Sequence, residues 1–213
     1  MKSFLIIGMN TFGHHLCREL HKQKGEVMIA DIKEDALADA LEYAISAKVG
    51  DCTNVDVLRS FGVGNFDVCF VCISSNFQNS LEVTSLLKEL GARTVISKAD
   101  NDVHAKFLLR NGADSVIYPE REAAQTIAVS ESSDSIFDCM PLTADYFIYE
   151  IQPMKEWVGK SMRQLNLRVN YNVSVLAVKR GNDMDPMPDA DYIIRSDDHL
   201  VVLCNIADIR KII

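Results

Sequence analysis

No stretch of this sequence approaches the roughly 18 consecutive apolar residues that a membrane-spanning helix requires. The opening run Phe4-Leu5-Ile6-Ile7 is also far too short for the apolar region of a secretion signal, and no cleavage site follows it. These absences lead to the expectation of a cytoplasmic chain with no direct membrane insertion, so that any membrane role comes through a partner. Positive charge is scarce as well. Lys and Arg number 22 against 30 Asp and Glu, giving a net charge of −8. A surface of that sign repels phosphate backbones and anionic leaflets, which argues against nucleic acid and lipid as partners. There is no internal repeat and no low-complexity tract. The six cysteines (Cys17, Cys52, Cys69, Cys72, Cys139 and Cys204) are scattered. Cys69-Phe70-Val71-Cys72 is a C-x-x-C, but it lies inside an apparent strand, where residues three apart point to opposite faces. No second pair completes a zinc site, and the thiols read as buried and reduced. The five histidines include the adjacent pair His14-His15, and none has an evident base or nucleophile partner. A dehydrogenase would need such an acid/base pair, and no catalytic residue and no resident metal are expected.

What is present is ordinary globular composition: 48% hydrophobic and 24% charged residues over 213 positions, enough for two small domains. Residues 1–118 alternate short, continuously apolar runs with helical stretches. Strands are expected at Phe4–Gly8, Glu26–Asp31, Ala47–Gly50, Phe66–Ile73, Thr94–Lys98 and Ser115–Tyr118. Helices are expected at Phe12–Lys24, Glu34–Tyr43, Val55–Phe61, Leu81–Leu90 and His104–Arg110. Runs apolar on both sides fit a sheet covered on both faces, and the alternation predicts a Rossmann-like, doubly wound, parallel six-stranded sheet. Pro119 opens an amphipathic helix over Glu120–Glu131, and residues 119–133 read as a crossover helix and linker. Residues 134–213 read as a small α+β domain. Strands are expected there at Tyr146–Ile151, Val173–Lys179, Tyr192–Ile194 and His199–Cys204. Helical turns are expected at Ser161–Leu165 and Ala207–Ile213, with a turn at Gly181-Asn182-Asp183.

Gly8-Met9-Asn10-Thr11-Phe12-Gly13 directly follows the first strand and opens the first helix. It fills the slot of the glycine fingerprint of dinucleotide-binding folds. The first glycine allows the tight turn, the last allows close helix–strand packing, and the helix N-terminus faces phosphate. Asn10 stands where the middle glycine would let phosphate approach the backbone, so its side chain either crowds a pyrophosphate or hydrogen-bonds to it. Asp31 closes the second strand 18 residues beyond Gly13, where a carboxylate receives ribose hydroxyls; the alternative is a helix cap. Asp51 follows the third strand at the same sheet edge, again either a ligand contact or a cap. Ser74-Ser75-Asn76 follows the fourth strand, either lining the ligand or capping the next helix. Ile32, Cys52 and Ile73 neighbour these positions and are counted with the site.

The order GMNTFG, ADIKED, VGDCTN, VCISSNFQNSL and VISKADNDVHAKFLLRNGADSVIYPE resembles the RCK regulatory subunits of bacterial Trk and Ktr potassium uptake systems. The tail, through KSMRQLNLRVNYNVSVLAVKRG and SDDHLVVLCN, resembles their C-terminal domain, so the resemblance covers nearly the whole chain. It implies a nucleotide-sensing subunit that binds NAD(H), ADP or ATP and pairs through the helix at Glu120–Glu131. Such dimers assemble into a homo- or hetero-octameric ring at the inner face of the membrane and gate a potassium channel or transporter subunit. It further implies that Lys98 lies near the phosphates and that Glu120 approaches phosphate or a cation. Arg168, Asn172 and Pro188 correspond to a second cleft, for cyclic di-AMP. Thr11 stands where Ktr-type chains carry an arginine that reaches the terminal phosphate. The same body could also regulate another cation transporter, such as a proton antiporter, and an NAD(P)-dependent oxidoreductase is the remaining alternative.

Overall fold

The computed structural model describes residues 1–74, 76–143 and 145–213. The chain divides into two compact units, Met1–Glu120 and Arg121–Ile213.

The first unit holds six strands: β1 (Ser3–Ile7), β2 (Glu26–Asp31), β3 (Ser46–Val49), β4 (Val68–Val71), β5 (Val95–Lys98) and β6 (Ser115–Ile117). All pair in parallel, in the order β3-β2-β1-β4-β5-β6. Alternate residues of each strand feed opposite layers. Leu5, Ile7, Cys69 and Val71 pack with Leu58, Val83 and Leu87 on one face. Ile6, Val27, Ile29 and Cys72 pack with Cys17 and Leu37 on the other. That two-sided demand is why the strands read as unbroken apolar runs. It also puts Cys69 and Cys72 in different layers, as the strand geometry anticipated.

The helices are α1 (Thr11–Lys22), α2 (Asp35–Ala38), α3 (Val55–Phe61), α4 (Phe77–Glu89), α5 (Asp102–Arg110) and α6 (Pro119–Ser130). Four of them begin on an asparagine whose side chain accepts a first-turn N–H: Asn10, Asn54, Asn76 and Asn101. Such caps are worth about 1 kcal/mol each. The expected helix Glu34–Tyr43 is instead one turn, α2, followed by a 3-10 turn at Leu41–Tyr43. Asp35 and Asp39 are weak helix formers, and no side chain caps the start. α4 begins four residues earlier than expected, because Asn76 is its cap.

The second unit is an antiparallel sheet in the order β10-β9-β11-β8-β7. Its strands are β7 (Ile136–Pro141), β8 (Tyr146–Ile151), β9 (Ser174–Arg180), β10 (Asp183–Pro186) and β11 (His199–Asn205). Short helices α7 (Met162–Leu165), α8 (Leu167–Asn170) and α9 (Ile206–Ile209) complete it. The core gathers Trp157, Tyr149, Ile151, Leu200 and Val202, with Val129 of α6 packed against it. Tyr192–Ile194 is not a strand of this sheet. Its backbone is spent on the segment leading into α7, where Ile194 donates to Lys160, Gly159 to Ile194 and Met162 to Tyr192. Asp183–Pro186 forms edge strand β10 against β9, and the closing helix expected at Ala207–Ile213 shrinks to one turn. No helix among the described residues is long and apolar enough to cross a membrane.

Candidate functional site

In a parallel sheet all carboxyl ends lie along one edge. The chain leaves β1 in one direction to β2 and β3, then returns to β4 on the other side of β1. That reversal opens a crevice between neighbouring connections. Here it encloses about 500 Å³. Gly8, Met9 and Asn10 line it from the first turn, Asp31 and Ile32 from the end of β2, Asp51 and Cys52 from beyond β3, and Ile73 and Ser74 from beyond β4.

The first turn is built for close approach. Gly8 has φ +94°, a conformation side chains rarely adopt, and a Cβ there would come within 3.0 Å of the Cys72 carbonyl carbon. A Cβ on Gly13 would meet the Gly8 carbonyl oxygen at 2.5 Å, so glycine is what seats α1 on β1. Asn10 has extended backbone, and its side chain makes three hydrogen bonds. Its Oδ1 accepts the Gly13 N–H at 3.0 Å, and its Nδ2 donates to the Cys72 carbonyl at 2.5 Å and to Ser74 Oγ at 2.9 Å.

Asp31 holds the turn from the other side. Its Oδ2 accepts the Met9 N–H at 2.7 Å and its Oδ1 accepts the Lys33 N–H at 2.9 Å. It caps no helix, since α2 begins on Glu34. A carboxylate oxygen has two lone pairs, so each oxygen can still accept a hydroxyl. Asp51 is likewise not a cap, that role falling to Asn54. Its Oδ1 accepts from Thr53 Oγ1 at 2.7 Å and Thr53 N at 3.0 Å, and these bonds hold its carboxyl below the usual range. Cys52 is nearly fully buried; burial, then Asp51 and Asp31, push its thiol up to about 12, which removes it as a nucleophile.

Other expected residues lie outside the crevice. Thr11 is exposed on the first turn of α1, while Phe12 turns into the layer packed beneath that helix. Asn76 is spent as the α4 cap. Ser75 lies outside the described residues. Lys98, 4% exposed, stands one hydrogen bond behind the crevice wall: Nζ donates to Ser74 Oγ at 3.2 Å and pairs with Asp100 at 3.0 Å and Glu120 at 2.9 Å. Desolvation lowers the Lys98 pKa, but bonds to Glu120 and Asp100 outweigh it and hold the ammonium above its usual range; Glu120 is correspondingly lowered. Lys33, Ala36, Gly50, Thr53, Asn79 and Val83 also line the crevice and were not anticipated. Position within two residues of Asp31 or Asp51 was the available signal for Lys33, Gly50 and Thr53, whereas Ala36 lines the crevice from α2. Asn79 lies on a helix turn that precedes the expected start at Leu81, while Val83 lies within the expected helix but its face toward the crevice was not assigned.

In the second unit, Arg168 and Pro188 line a separate cleft of about 540 Å³ with Met162, Asn166 and Val175. Asn172 is not among its lining residues. It adopts φ +58°, a backbone conformation that residues other than glycine rarely take.

The TrkA-N domain matches residues 4–119 and the TrkA-C domain matches residues 146–213. The Ktr system potassium uptake protein C of Bacillus subtilis is 36% identical over 99% of this chain and 95% of its own. Protein A of the same system is 35% identical over the same shares. The chain belongs to the TrkA family of RCK regulatory subunits of Trk and Ktr potassium uptake systems. The TrkA fold is matched structurally by the GsuK channel bound to NAD, with a TM-score of 0.68 at 16% identity. That match covers 97% of this chain but 38% of the channel chain, so it speaks for the TrkA fold alone.

Proposed function

We propose that this chain is a cytoplasmic, nucleotide-sensing regulatory subunit that gates a membrane potassium channel or transporter. The observation that carries the reading is the crevice at the sheet's switch point, with Asp31 closing β2 beside the Gly8–Gly13 turn. This arrangement suits an adenine nucleotide: carboxylates accept ribose hydroxyls, Ile32 and Ala36 offer apolar surface to a base, and the start of α1 favours an anion. NAD(H), ADP and ATP are the candidate ligands. The relatives' place in the Ktr system supports potassium transport as the process regulated. Pairing through α6, and octameric assembly of such pairs, would let one binding event bias a ring. A ligand does this only by binding the two ring shapes with different affinity. The chain acts by binding rather than catalysis, so no NADH turnover is expected with hydroxy-acid or aldehyde substrates. Arg168, Asn172 and Pro188 are the residues proposed for a second ligand, cyclic di-AMP, of which Arg168 and Pro188 line the cleft in the second unit.

The test is a thermal-shift series on the full chain with NAD⁺, NADH, ADP, ATP and cyclic di-AMP. Saturation at 100 times Kd stabilises by about 2.7 kcal/mol, an easily read rise in melting temperature. Asp31→Ala is expected to abolish the rise for adenine nucleotides while leaving any cyclic di-AMP response. Absence of a shift with every adenine ligand would overturn the sensor reading. Co-purification with a potassium-transport pore, rather than with an antiporter, separates the two transport readings.

A further inference from the structure

Asn10 is spent in three directions at the place where a phosphate would come. Its amide joins the start of α1 to the end of β4 through Gly13, the Cys72 carbonyl and Ser74 Oγ. The two strand ends it joins, β1 and β4, flank the switch point, so the side chain bridges the mouth between them. A phosphate approaching the first turn of α1 finds the Gly13 N–H already taken. To use it, the ligand has to break the helix cap and displace the amide from two further acceptors.

The crevice offers little charge to offset that cost. Among the described lining residues Lys33 is the single cation, against the carboxylates of Asp31 and Asp51. Lys98 is near but already committed to Asp100, Glu120 and Ser74, and it stands behind the wall. The residues that open α1, Thr11, Phe12 and Gly13, carry no charge. What the crevice holds in quantity suits a nucleoside: hydroxyl acceptors at Asp31 and Asp51, and apolar surface at Ile32, Ala36 and Cys52.

We propose that Asn10 sets the ligand class of this crevice, making it a reader of a nucleoside carrying a single phosphate, in which further phosphates add no affinity and a triphosphate is disfavoured. This rests on the adenine-nucleotide reading above. The first phosphate can reach the Lys33 side and the rim of the turn, whereas the second and third meet the Asn10 bridge and a carboxylate-rich wall with no cation to neutralise them.

Isothermal titration of the full chain with adenosine, AMP, ADP and ATP at fixed ionic strength, in wild type and Asn10→Gly, tests this. In wild type AMP is expected to bind at least as tightly as ADP and about tenfold more tightly than ATP, a tenfold step being about 1.4 kcal/mol. Asn10→Gly opens the turn and is expected to raise ATP affinity by about tenfold while leaving AMP within about threefold. Glycine at a cap position costs only a few tenths of a kcal/mol relative to asparagine. If thermal melts show that variant unfolded, Asn10→Ser keeps a hydroxyl on the Gly13 N–H and removes only the Nδ2 bridge to Cys72 and Ser74, so a smaller rise in ATP affinity, about threefold, is expected. ATP binding more tightly than AMP to wild type overturns the proposal, as does a variant that strengthens AMP and ATP equally. Both outcomes leave the adenine-nucleotide reading standing. Failure of all four ligands to bind either protein sinks that reading itself.

Discussion

Asp198 is completely buried, yet its carboxylate is fully used. Oδ1 accepts from both Arg180 Nε at 3.0 Å and Arg180 Nη2 at 2.5 Å, while Oδ2 accepts from Tyr192 Oη at 2.9 Å and the Arg195 N–H at 2.8 Å. This one side chain ties the segment before β11 to β9. Asp198→Ala strands those donors, and removing one partner of a buried pair costs about 3 to 5 kcal/mol. Arg180 is about one-third exposed and can rehydrate, so the expected loss is near the lower figure, about 3 kcal/mol. Urea unfolding read by Trp157 fluorescence measures it. His104 makes a different kind of prediction. It is 1% exposed, its Nε2 lies 3.1 Å from Ser80 Oγ, and burial lowers its pKa, with Asp100 opposing and Lys98 assisting. A histidine depressed in the fold binds fewer protons than in the unfolded chain. Stability is therefore fully present above the ordinary value of 6.5 and is lost as pH falls below it. Urea midpoints followed by circular dichroism at pH 7.5 and 5.5 are expected to separate in wild type and to draw closer together in His104→Asn.

At the scale of elements, the junction of β1 with α1 depends on the missing side chain of Gly13. Gly13→Ala brings a Cβ to 2.5 Å from a backbone oxygen, which no rotamer can relieve. Overpacking of this kind costs about 2 kcal/mol, and because the shift falls on the phosphate turn, nucleotide thermal shifts should fall with it. Differential scanning calorimetry with and without ligand separates the two effects. This junction was legible in the sequence because glycine spacing and a preceding apolar run are local signals. The same holds for β2 and α3, whose ends coincide with the expected ones, Asp31 and Phe61. The errors arose where distant partners decide. Tyr192–Ile194 has strand-like residues, but its hydrogen bonds go to Gly159, Lys160 and Met162, some thirty positions away. β7 went unseen because its burial pattern alternates irregularly around a register shift. In the site, the strand-end position of Asp31 was legible, but its bond to Met9 N spans 22 positions and left no local mark. The threefold use of Asn10 was equally hidden, since Cys72 and Ser74 reach it only through the fold.

The molecule as a whole carries two cores that can be watched separately. Its single tryptophan, Trp157, is completely buried in the second unit against Tyr171. The helices α1 to α5 and the parallel sheet, which dominate the helical circular dichroism signal, belong to the first. The described residues that line the crevice all belong to that first unit. A ligand stabilises what it binds by mass action, about 2.7 kcal/mol at 100 times Kd. With the nucleotide bound in the first unit, the urea midpoint followed by circular dichroism at 222 nm is expected to rise more than the midpoint followed by Trp157 fluorescence. A ligand in the Arg168 cleft should do the reverse, because Leu167 and Val173 belong both to that cleft and to the core around Trp157. Equal shifts by both probes with one ligand would mean that the two units unfold as a single cooperative body. A nucleotide response confined to Trp157 would place the nucleotide in the second unit and remove it from the crevice.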